Sequence, residues 1–296
     1  MDVKVLVLGA GGLGCEVVKN LAVLKVREIH VVDLDTIELT NLNRQFLFKD
    51  QDIGRYKAQV AAEYINRWSE HQQTSCTKAI AHCMDLLLLG SDFYEQFDFV
   101  ISGLDAVQPR RFVNQLLVQL TRNSNFEICI PLIDGGTEGL QGHVKTIIPG
   151  ITACWECSIE TLPQQQTRLP MCTIANNPRN LEHVVEYVVT VQMAGEELDT
   201  KRLLQLCRDR ALQFGIPADT LTESYAVGVA KRIVPSVSST NALVAAICCN
   251  EMVKIYNDSI DFDTLKNFKT VSGINGLYIN SFKFARLDTC PVCSGF

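Results

Sequence analysis

A glycine-rich turn between an apolar run and a helical segment opens the chain and constrains its fold more than any other feature. Residues 3–9 read VKVLVLG, residues 9–14 read GAGGLG, and the stretch CEVVKNLAVLKV precedes a second apolar run, EIHVVDLD. Nearly continuous apolar runs, rather than alternating ones, are typical of parallel strands buried on both faces. The pattern predicts a strand, a tight turn, a helix and a second strand, the first βαβ unit of a doubly wound α/β sheet.

The rest of the chain continues this organisation and then departs from it. Further strand candidates are DFVISGLD at 98–105 and ICIPLIDGG at 128–136, with a helical stretch at 108–123 between them. From Glu182 the chain has helical periodicity, many charges and few strand signals, which predicts a helical insertion. A Ser/Thr/Asn cluster then precedes another apolar helical segment, and the chain ends in short β-like segments.

Composition limits the classes of protein that the chain can belong to. It has 296 residues, 47% of them hydrophobic, a net charge of −6 and no lysine- or arginine-rich block. These features predict a globular protein that binds proteins or small anions and does not bind nucleic acid. The sequence contains no apolar run near the ~18 residues of a membrane span and no signal peptide, so we expect no membrane association and a location in the cytoplasm, the nucleus or both.

The glycine turn predicts a nucleotide site. Gly9, Gly11 and Gly14 fit G-x-G-x-x-G between a predicted strand and a predicted helix, and Asp33 ends the next strand. Backbone N–H groups at such a helix start face a phosphate, and the carboxylate accepts hydrogen bonds from ribose hydroxyls. An NAD-dependent oxidoreductase uses the same pattern and remains an alternative at this point.

Three charged residues shift the interpretation towards ATP. Arg44 and Lys57 follow Asp33 in DLDTIELTNLNRQFLF and DIGRYKAQVAAEYI, where a dehydrogenase has no characteristic need for cations. A triphosphate with Mg²⁺ requires cationic side chains and a metal-binding carboxylate, and Asp105 lies where a strand is predicted to end. Each cation by itself is more often ordinary surface charge.

The cysteines fall into two spaced pairs and several single residues. Twelve cysteines in 296 residues lie well below the roughly 8–10% of disulfide scaffolds, so reduced thiols are expected. Cys154 and Cys157, like Cys290 and Cys293, could each present two thiolates to a metal, although the pairs are too far apart in sequence for an ordinary zinc finger. Cys172, in LPMCTIANNP, is on its own more simply a buried small hydrophobe.

Taken together, these segments resemble the ubiquitin-like-protein activating enzymes, and within that family the enzymes of neddylation. The matching stretches are VLVLGAGGLGCE, DLDTIELTNLNRQFLF, IGRYKAQVAA, SGLDAVQPRR, IDGGTEGLQGHVKTIIPG, TACWEC, PMCTIANNPR and CPVC. The resemblance implies a Rossmann-like, ThiF/MoeB-like α/β adenylation domain with a helical catalytic-cysteine insertion and a zinc site of four cysteines. The boundaries expected are 1–171 for the first part of the adenylation domain, 172–232 for the insertion and 233–296 for the second part.

The resemblance also implies roles for individual residues. Those that hold ATP and its phosphates are Gly9, Gly11, Gly14, Asp33, Asn41, Arg44, Gln45 and Lys57. Asp105 is expected to bind Mg²⁺, and Arg44, Lys57 and Asp105 to serve adenylation. Cys172 is expected to be the thioester-forming nucleophile. The zinc ligands implied are Cys154, Cys157, Cys290 and Cys293. Lys145, in GHVKTIIPG, is expected to lie beside the modifier's C-terminal tail and to disfavour a tail that carries its own arginine.

The implied partners are a ubiquitin-like modifier, a conjugating enzyme and a non-catalytic partner subunit. The chain begins directly at the first strand, without the helix that in relatives donates an arginine to the neighbouring ATP site, and it stops at the second CxxC, where larger relatives continue into a ubiquitin-fold domain. We therefore expect the partner subunit to supply that arginine. The alternatives are a sumoylation-activating catalytic subunit, an oxidoreductase and a non-catalytic scaffold subunit.

Overall fold

A computed structural model describes residues 1–72, 77–161, 175–176, 178–196, 198–230 and 236–296. The chain divides into two compact units, one formed by Met1–Thr161 with Ser236–Phe296 and the other by Leu162–Pro235. The boundaries expected from the sequence, at 171/172 and 232/233, lie outside the described residues and stay a prediction. Within the described residues, no helix is both long and apolar enough to cross a membrane.

The first unit is built on a mixed sheet of eight strands in its described part. The strands are β1 (Lys4–Leu8), β2 (Glu28–Val32), β3 (Lys78–His82), β4 (Phe99–Ser102), β5 (Leu132–Glu138), β6 (Gln141–Ile147), β7 (Phe268–Ser272) and β8 (Tyr278–Phe282). Their spatial order is β3-β2-β1-β4-β5-β6-β7-β8. The first five in this order are parallel, and β6, β7 and β8 are added antiparallel. The predicted doubly wound sheet is confirmed, with an antiparallel extension at one edge.

The strand predicted from Ile128 begins later, at Leu132. Pro131 precedes it and has no N–H to donate to a neighbouring strand, although its carbonyl accepts a 3.0 Å hydrogen bond from the N–H of Val100. The proline therefore marks the start of the regular ladder.

Helices cover the sheet of the first unit. They are α1 (Gly12–Val23), α2 (Lys57–Glu70), α3 (Ser91–Tyr94), α4 (Val107–Asn123) and, after the second unit, α8 (Ser238–Tyr256). Apolar side chains of β1, α1 and α8 share one core, which includes Val5, Leu21 and Val244. This core holds the carboxyl ends of the central strands, where α/β proteins bind their ligands, beside the start of α1.

The second unit is helical in its described part. Its helices are α5 (Leu181–Tyr187), which runs into a π-helical turn at Val188–Gln192, α6 (Thr200–Gln213) and α7 (Glu223–Ala230). Asn180 and Asp199 cap α5 and α6, because their side-chain oxygens accept hydrogen bonds from backbone N–H groups of the first turn. Leu181, Val185 and Leu203 belong to a separate apolar core.

Candidate functional site

The glycine turn joins β1 to α1 with an open space above it. Gly9 has a φ of 91°, a conformation that side chains disfavour, and a Cβ at Gly14 would collide with the carbonyl oxygen of Gly9. A Cβ at Gly11 would meet no atom within 4 Å among the described residues. The turn therefore has no room for a side chain at Gly14 and open space at Gly11, the residue before α1, which suits a phosphate approaching the helix N–H groups.

Asp33 follows β2 and holds this turn. Its Oδ2 accepts a hydrogen bond from the N–H of Ala10 at 2.6 Å, and its Oδ1 accepts one from the N–H of Asp35 at 2.8 Å. Burial raises the pKa of the Asp33 carboxyl above its usual range, and these two N–H donors oppose the shift. The carboxylate is thus fixed at the turn, next to the place where a ribose would lie.

Two cations lie around the same turn. Lys57, the buried first residue of α2, donates from Nζ to Oδ2 of Asp35 at 2.8 Å. Arg44 donates to the carbonyl oxygen of Thr40 at 2.8 Å, and its Cγ lies 3.5 Å from the position of a Cβ on Gly12. Both predicted phosphate ligands are therefore near the turn, and Asp35 is a partner that the sequence analysis did not foresee.

The uncharged members of the predicted set are mostly buried. Asn41 accepts a hydrogen bond from the N–H of Glu38 at 2.9 Å. Gln45 is 2% exposed, and its Oε1 has no hydrogen-bond partner among the described residues. A buried amide oxygen without a partner is costly, so this atom fits a site that a polar ligand completes. Asp105 is exposed, between the end of β4 and the start of α4.

The four cysteines of the two spaced pairs meet in space. Their sulfur atoms all lie within 4.8 Å of one another. Sγ of Cys154 is 3.6 Å from that of Cys290, and Sγ of Cys157 is 3.3 Å from that of Cys293. A tetrahedral zinc site with Zn–S bonds of about 2.3 Å requires sulfur separations of about 3.8 Å, so the residues fit this metal. Burial raises the pKa of Cys154 to about 12, because the charged thiolate is unfavourable in a buried place. A bound cation would stabilise the thiolate.

A buried ion pair that the sequence analysis missed connects these regions. Arg110 of α4 donates to Oδ2 of Asp134 at 2.5 Å and also to the carbonyl oxygen of Leu104, the residue before Asp105. The same Asp134 oxygen accepts a 3.1 Å hydrogen bond from the indole N–H of Trp155, which lies between the zinc cysteines in sequence. Arginine in a helix is usually solvated, so only the tertiary structure gives this residue its role.

Lys145, which the resemblance places beside the modifier's C-terminal tail, is buried in the structure. It is 4% exposed, donates to Oγ of Ser158 at 2.9 Å, and holds its ammonium 4.8 Å from the centre of the Trp155 ring. Burial lowers its pKa to about 8. A modifier tail could not touch this ammonium without a rearrangement of its cover, and its role in specificity stays a prediction.

Cys172 lies outside the described residues, but a nearby contact is visible. The carbonyl oxygen of Ala175, three residues later, accepts a 2.6 Å hydrogen bond from Nη2 of Arg210. Arg210 is 7% exposed, and its guanidinium carbon lies 3.4 Å from the centre of the Tyr187 ring. No local pattern in the sequence indicates this contact, because 35 residues separate its two partners.

A glycine turn with flanking cations and a cluster of four cysteines lie in the same α/β unit, and these residues are suited to bind a nucleotide and a metal ion. The model of the ThiF family matches residues 1–292, and the chain belongs to this family. The predicted fold class and family are thereby confirmed.

Individual relatives are more specific. The NEDD8-activating enzyme E1 catalytic subunit of Saccharomyces cerevisiae is 59% identical over 300 residues, which cover 99% of this chain and 98% of that protein. The protein of the same name from Dictyostelium discoideum is 41% identical, over 99% of this chain and 68% of its own length. The SUMO-activating enzyme subunit 2 of D. discoideum is 41% identical over 62% of this chain and 25% of that protein.

Among solved structures, Escherichia coli MccB, crystallised with ATP, superposes with a TM-score of 0.62 at 19% identity, over 99% of this chain and 66% of that chain. At this identity the likeness supports the fold alone.

Proposed function

We propose that the protein is the catalytic subunit of a NEDD8-activating enzyme. The observation that carries the proposal is the high identity to the yeast enzyme over nearly the whole length of both chains. The SUMO-activating relative matches a smaller part of this chain, which favours neddylation over sumoylation. Membership of the ThiF family leaves no support for the oxidoreductase alternative, and the retained nucleotide turn argues against a silent scaffold.

The reaction explains why an ATP site and a cysteine are both needed. A carboxylate at the C-terminus of a modifier is a poor electrophile, so its oxygen attacks the α-phosphorus of ATP and pyrophosphate leaves. The product is an acyl-adenylate. The thiolate of Cys172 then attacks the acyl carbonyl and expels AMP, which leaves a thioester that a conjugating enzyme's cysteine takes over.

The residues around the glycine turn have complementary tasks in the first step. The N–H groups at the start of α1 would donate hydrogen bonds to the phosphates, and the carboxylate of Asp33 would accept hydrogen bonds from the ribose hydroxyls. Arg44 and Lys57 offset the charge that develops on the phosphates, while Asn41 and Gln45 orient the nucleotide. Lys57 can turn from Asp35 to a phosphate oxygen, because its ammonium is a compact charge on a flexible stem. Asp105 would hold Mg²⁺.

The four-cysteine cluster is assigned to zinc in a structural role. Four thiolates complete a tetrahedral shell and leave no position for a reacting water. Because Cys154 and Cys157 come before the second unit in sequence and Cys290 and Cys293 after it, the metal ties together the two chain segments of the first unit.

The proposal includes partners and a location. A non-catalytic subunit completes the enzyme, the modifier is its protein substrate, and a conjugating enzyme accepts the thioester. These reactions take place in the cytoplasm, the nucleus or both.

A thioester assay tests the function. The protein, with and without a co-purified partner subunit, is incubated with ATP, Mg²⁺ and each of a panel of ubiquitin-like modifiers. We expect one reductant-sensitive band, with the NEDD8-type modifier. Charging of a SUMO-type modifier instead would support the sumoylation alternative, and absence of both thioester and ATP:pyrophosphate exchange with every modifier would contradict enzymatic activation.

A further inference from the structure

One buried amide in α8 connects three separated parts of the first unit. Asn241 is 1% exposed, and its Oδ1 accepts a 2.7 Å hydrogen bond from Oγ1 of Thr137, near the end of β5. Its Nδ2 donates to Oγ of Ser236 at 3.0 Å. Ser236 is the residue at which the chain re-enters the first unit after the helical one. Both polar atoms of the amide are therefore used, in a helix that is otherwise largely apolar.

The third part is the glycine turn itself. A Cβ on Gly12, the first residue of α1, would collide with Nδ2 of Asn241 and would lie 3.2 Å from its Cγ. The amide thus occupies the space that a side chain at this position would need. Cγ of Arg44 lies 3.5 Å from the same Cβ position. Asn241 and the cation predicted to bind phosphate are therefore both close to the start of α1.

We propose that Asn241 is a positioning residue for the phosphate-binding turn. Its amide is held at both ends by Thr137 and Ser236, so it presents a fixed surface against which Gly12 packs. A buried amide is tolerated only when its polar atoms are hydrogen-bonded, and this one makes both bonds to residues outside its own helix. The geometry of the nucleotide turn is therefore coupled to the point where the chain returns from the helical unit. The ATP-dependent part of this inference rests on the proposed function.

The first test compares Asn241→Ala with Asn250→Ala, an exposed asparagine of the same helix that serves as a matched control. Amide hydrogen exchange of residues 9–14 is measured in nucleotide-free protein, and the Kd of a non-hydrolysable ATP analogue is measured by calorimetry. Because the turn loses its support, Asn241→Ala should speed exchange at the turn about tenfold and weaken the analogue about five- to tenfold, with the control unchanged.

The second test uses suppression, which a general loss of stability does not produce. Gly12→Ala alone should weaken analogue binding at least about thirtyfold, since its Cβ displaces the turn or the amide. In the double variant Gly12→Ala with Asn241→Ala, the space is vacated, and most of that loss should be recovered. Additive losses in the double variant would overturn the inference, as would unchanged hydrogen exchange at the turn in Asn241→Ala.

A milder variant keeps the inference testable if Asn241→Ala does not fold. Ser236→Ala removes one of the two anchors and leaves the amide in place, and it should weaken analogue binding about two- to threefold. No change in Kd with this variant would contradict coupling to the chain return. Hydrogen exchange at the turn does not depend on catalysis, so failure of the proposed function, seen as absent ATP:pyrophosphate exchange in the unaltered protein, is distinguishable from failure of this inference.

Discussion

The two units of this chain differ in the kind of internal contact that stabilises each of them. The first unit contains glycines without room for a side chain, a buried Arg110–Asp134 pair and a four-cysteine cluster. A further buried ion pair joins Glu251, which is 1% exposed, to Lys269, with 2.6 Å between Oε2 and Nζ. In the described part of the second unit, apolar side chains form the core, and one arginine contacts the segment after Cys172.

This difference follows from the chemistry proposed for each unit. Adenylation needs charged groups held in place before the reaction, because fixed dipoles and cations act without reorganisation at the moment of attack. Such groups require a dense polar network. An apolar core tolerates changes of similar volume and specifies fewer exact positions, which is sufficient for a unit that presents a thiol. The predictions below probe this contrast, from the largest expected effect to the smallest.

The change with the largest expected effect should abolish the activity proposed for the second unit and leave that of the first unit intact. Cys172→Ala is expected to abolish thioester formation and to leave ATP:pyrophosphate exchange intact, because adenylation precedes the thiol and does not use it. Both activities are measured on the same preparation, with Cys83→Ala, a change at an exposed cysteine, as the control. Loss of both activities in a folded Cys172→Ala protein would contradict the division of roles.

Removal of the metal should act on the first unit. Cys290→Ser is expected to eliminate one zinc per chain and to destabilise this unit by several kcal/mol, since structural zinc contributes binding free energies of about 10–16 kcal/mol in metal-folded peptides. Metal analysis and thermal unfolding measure the change, and Cys83→Ser is the matched control. Freshly purified, reduced protein without zinc would refute the assignment of the cluster.

Loss of the proposed magnesium ligand should leave the fold but stop its chemistry. Asp105→Ala is expected to reduce ATP:pyrophosphate exchange by at least about 10²-fold, because the triphosphate is no longer positioned for attack. Asp92→Ala, which removes an exposed carboxylate from α3, serves as the control. Normal ATP:pyrophosphate exchange by Asp105→Ala at saturating Mg²⁺ would show that Asp105 is an ordinary surface carboxylate with no role in the reaction.

A change in the second unit should leave adenylation alone. Arg210→Met keeps the length of the side chain but removes the donor to the Ala175 carbonyl and the cation over the Tyr187 ring. We expect thioester formation to fall about tenfold while exchange stays within about twofold, since a hydrogen bond from a charged group contributes about 1.5–3 kcal/mol.

Arg202→Met is the control for this change, because Arg202 lies on the same helix as Arg210 and pairs with Glu196, an exposed residue that precedes the helix. Stopped-flow measurement of thioester formation would show whether the two variants differ. Equal rates for them would remove Arg210 from the residues that hold the Cys172 segment.

The smallest effect is a pH dependence of nucleotide binding. Burial raises the pKa of Asp33 above the 3.8 of an ordinary aspartate, and the ionised form is the one that accepts ribose hydroxyls. ATP affinity should therefore decrease as pH falls through this raised pKa, at a higher pH than an exposed carboxylate would give. Calorimetric titration of an ATP analogue at several pH values measures it.

The pH dependence of folding stability has the opposite sign to that of nucleotide affinity. Because the folded-state pKa is raised, protonation of Asp33 favours the folded state at low pH, and this contribution is lost as pH rises. Asp33→Asn should remove this pH dependence and weaken the analogue a few-fold, and it should lower the unfolding temperature, because the amide nitrogen cannot accept one of the two backbone N–H bonds that the carboxylate accepts. A lower unfolding temperature with unchanged binding would show that Asp33 only supports the turn.

Local signals explain what could be predicted. Apolar runs identified β1 and β2, and G-x-G-x-x-G identified the turn, because strand periodicity and glycine conformations depend on neighbouring residues. The ligand candidates Asp33, Arg44 and Lys57 followed from their places after these elements. Of the antiparallel strands, β7 and β8 were predicted only as short β-like segments at the end of the chain and β6 was not predicted, since pairing of β6 with β7 joins residues more than a hundred positions apart.

The sequence by itself determined the α/β architecture and the two spaced cysteine pairs, because turn chemistry, strand burial and ligand spacing are properties of short segments, whereas the joining of the two pairs into one set was implied by the family resemblance. Only the tertiary structure decided which polar side chains support the site. Arg110, Asn241 and Arg210 look like ordinary helical residues in sequence, and each gains its role from a partner distant along the chain. The surroundings of Lys145 were likewise decided by the tertiary structure, which buries its ammonium against the Trp155 ring. Long-range burial and hydrogen bonding, which no local pattern encodes, account for these differences.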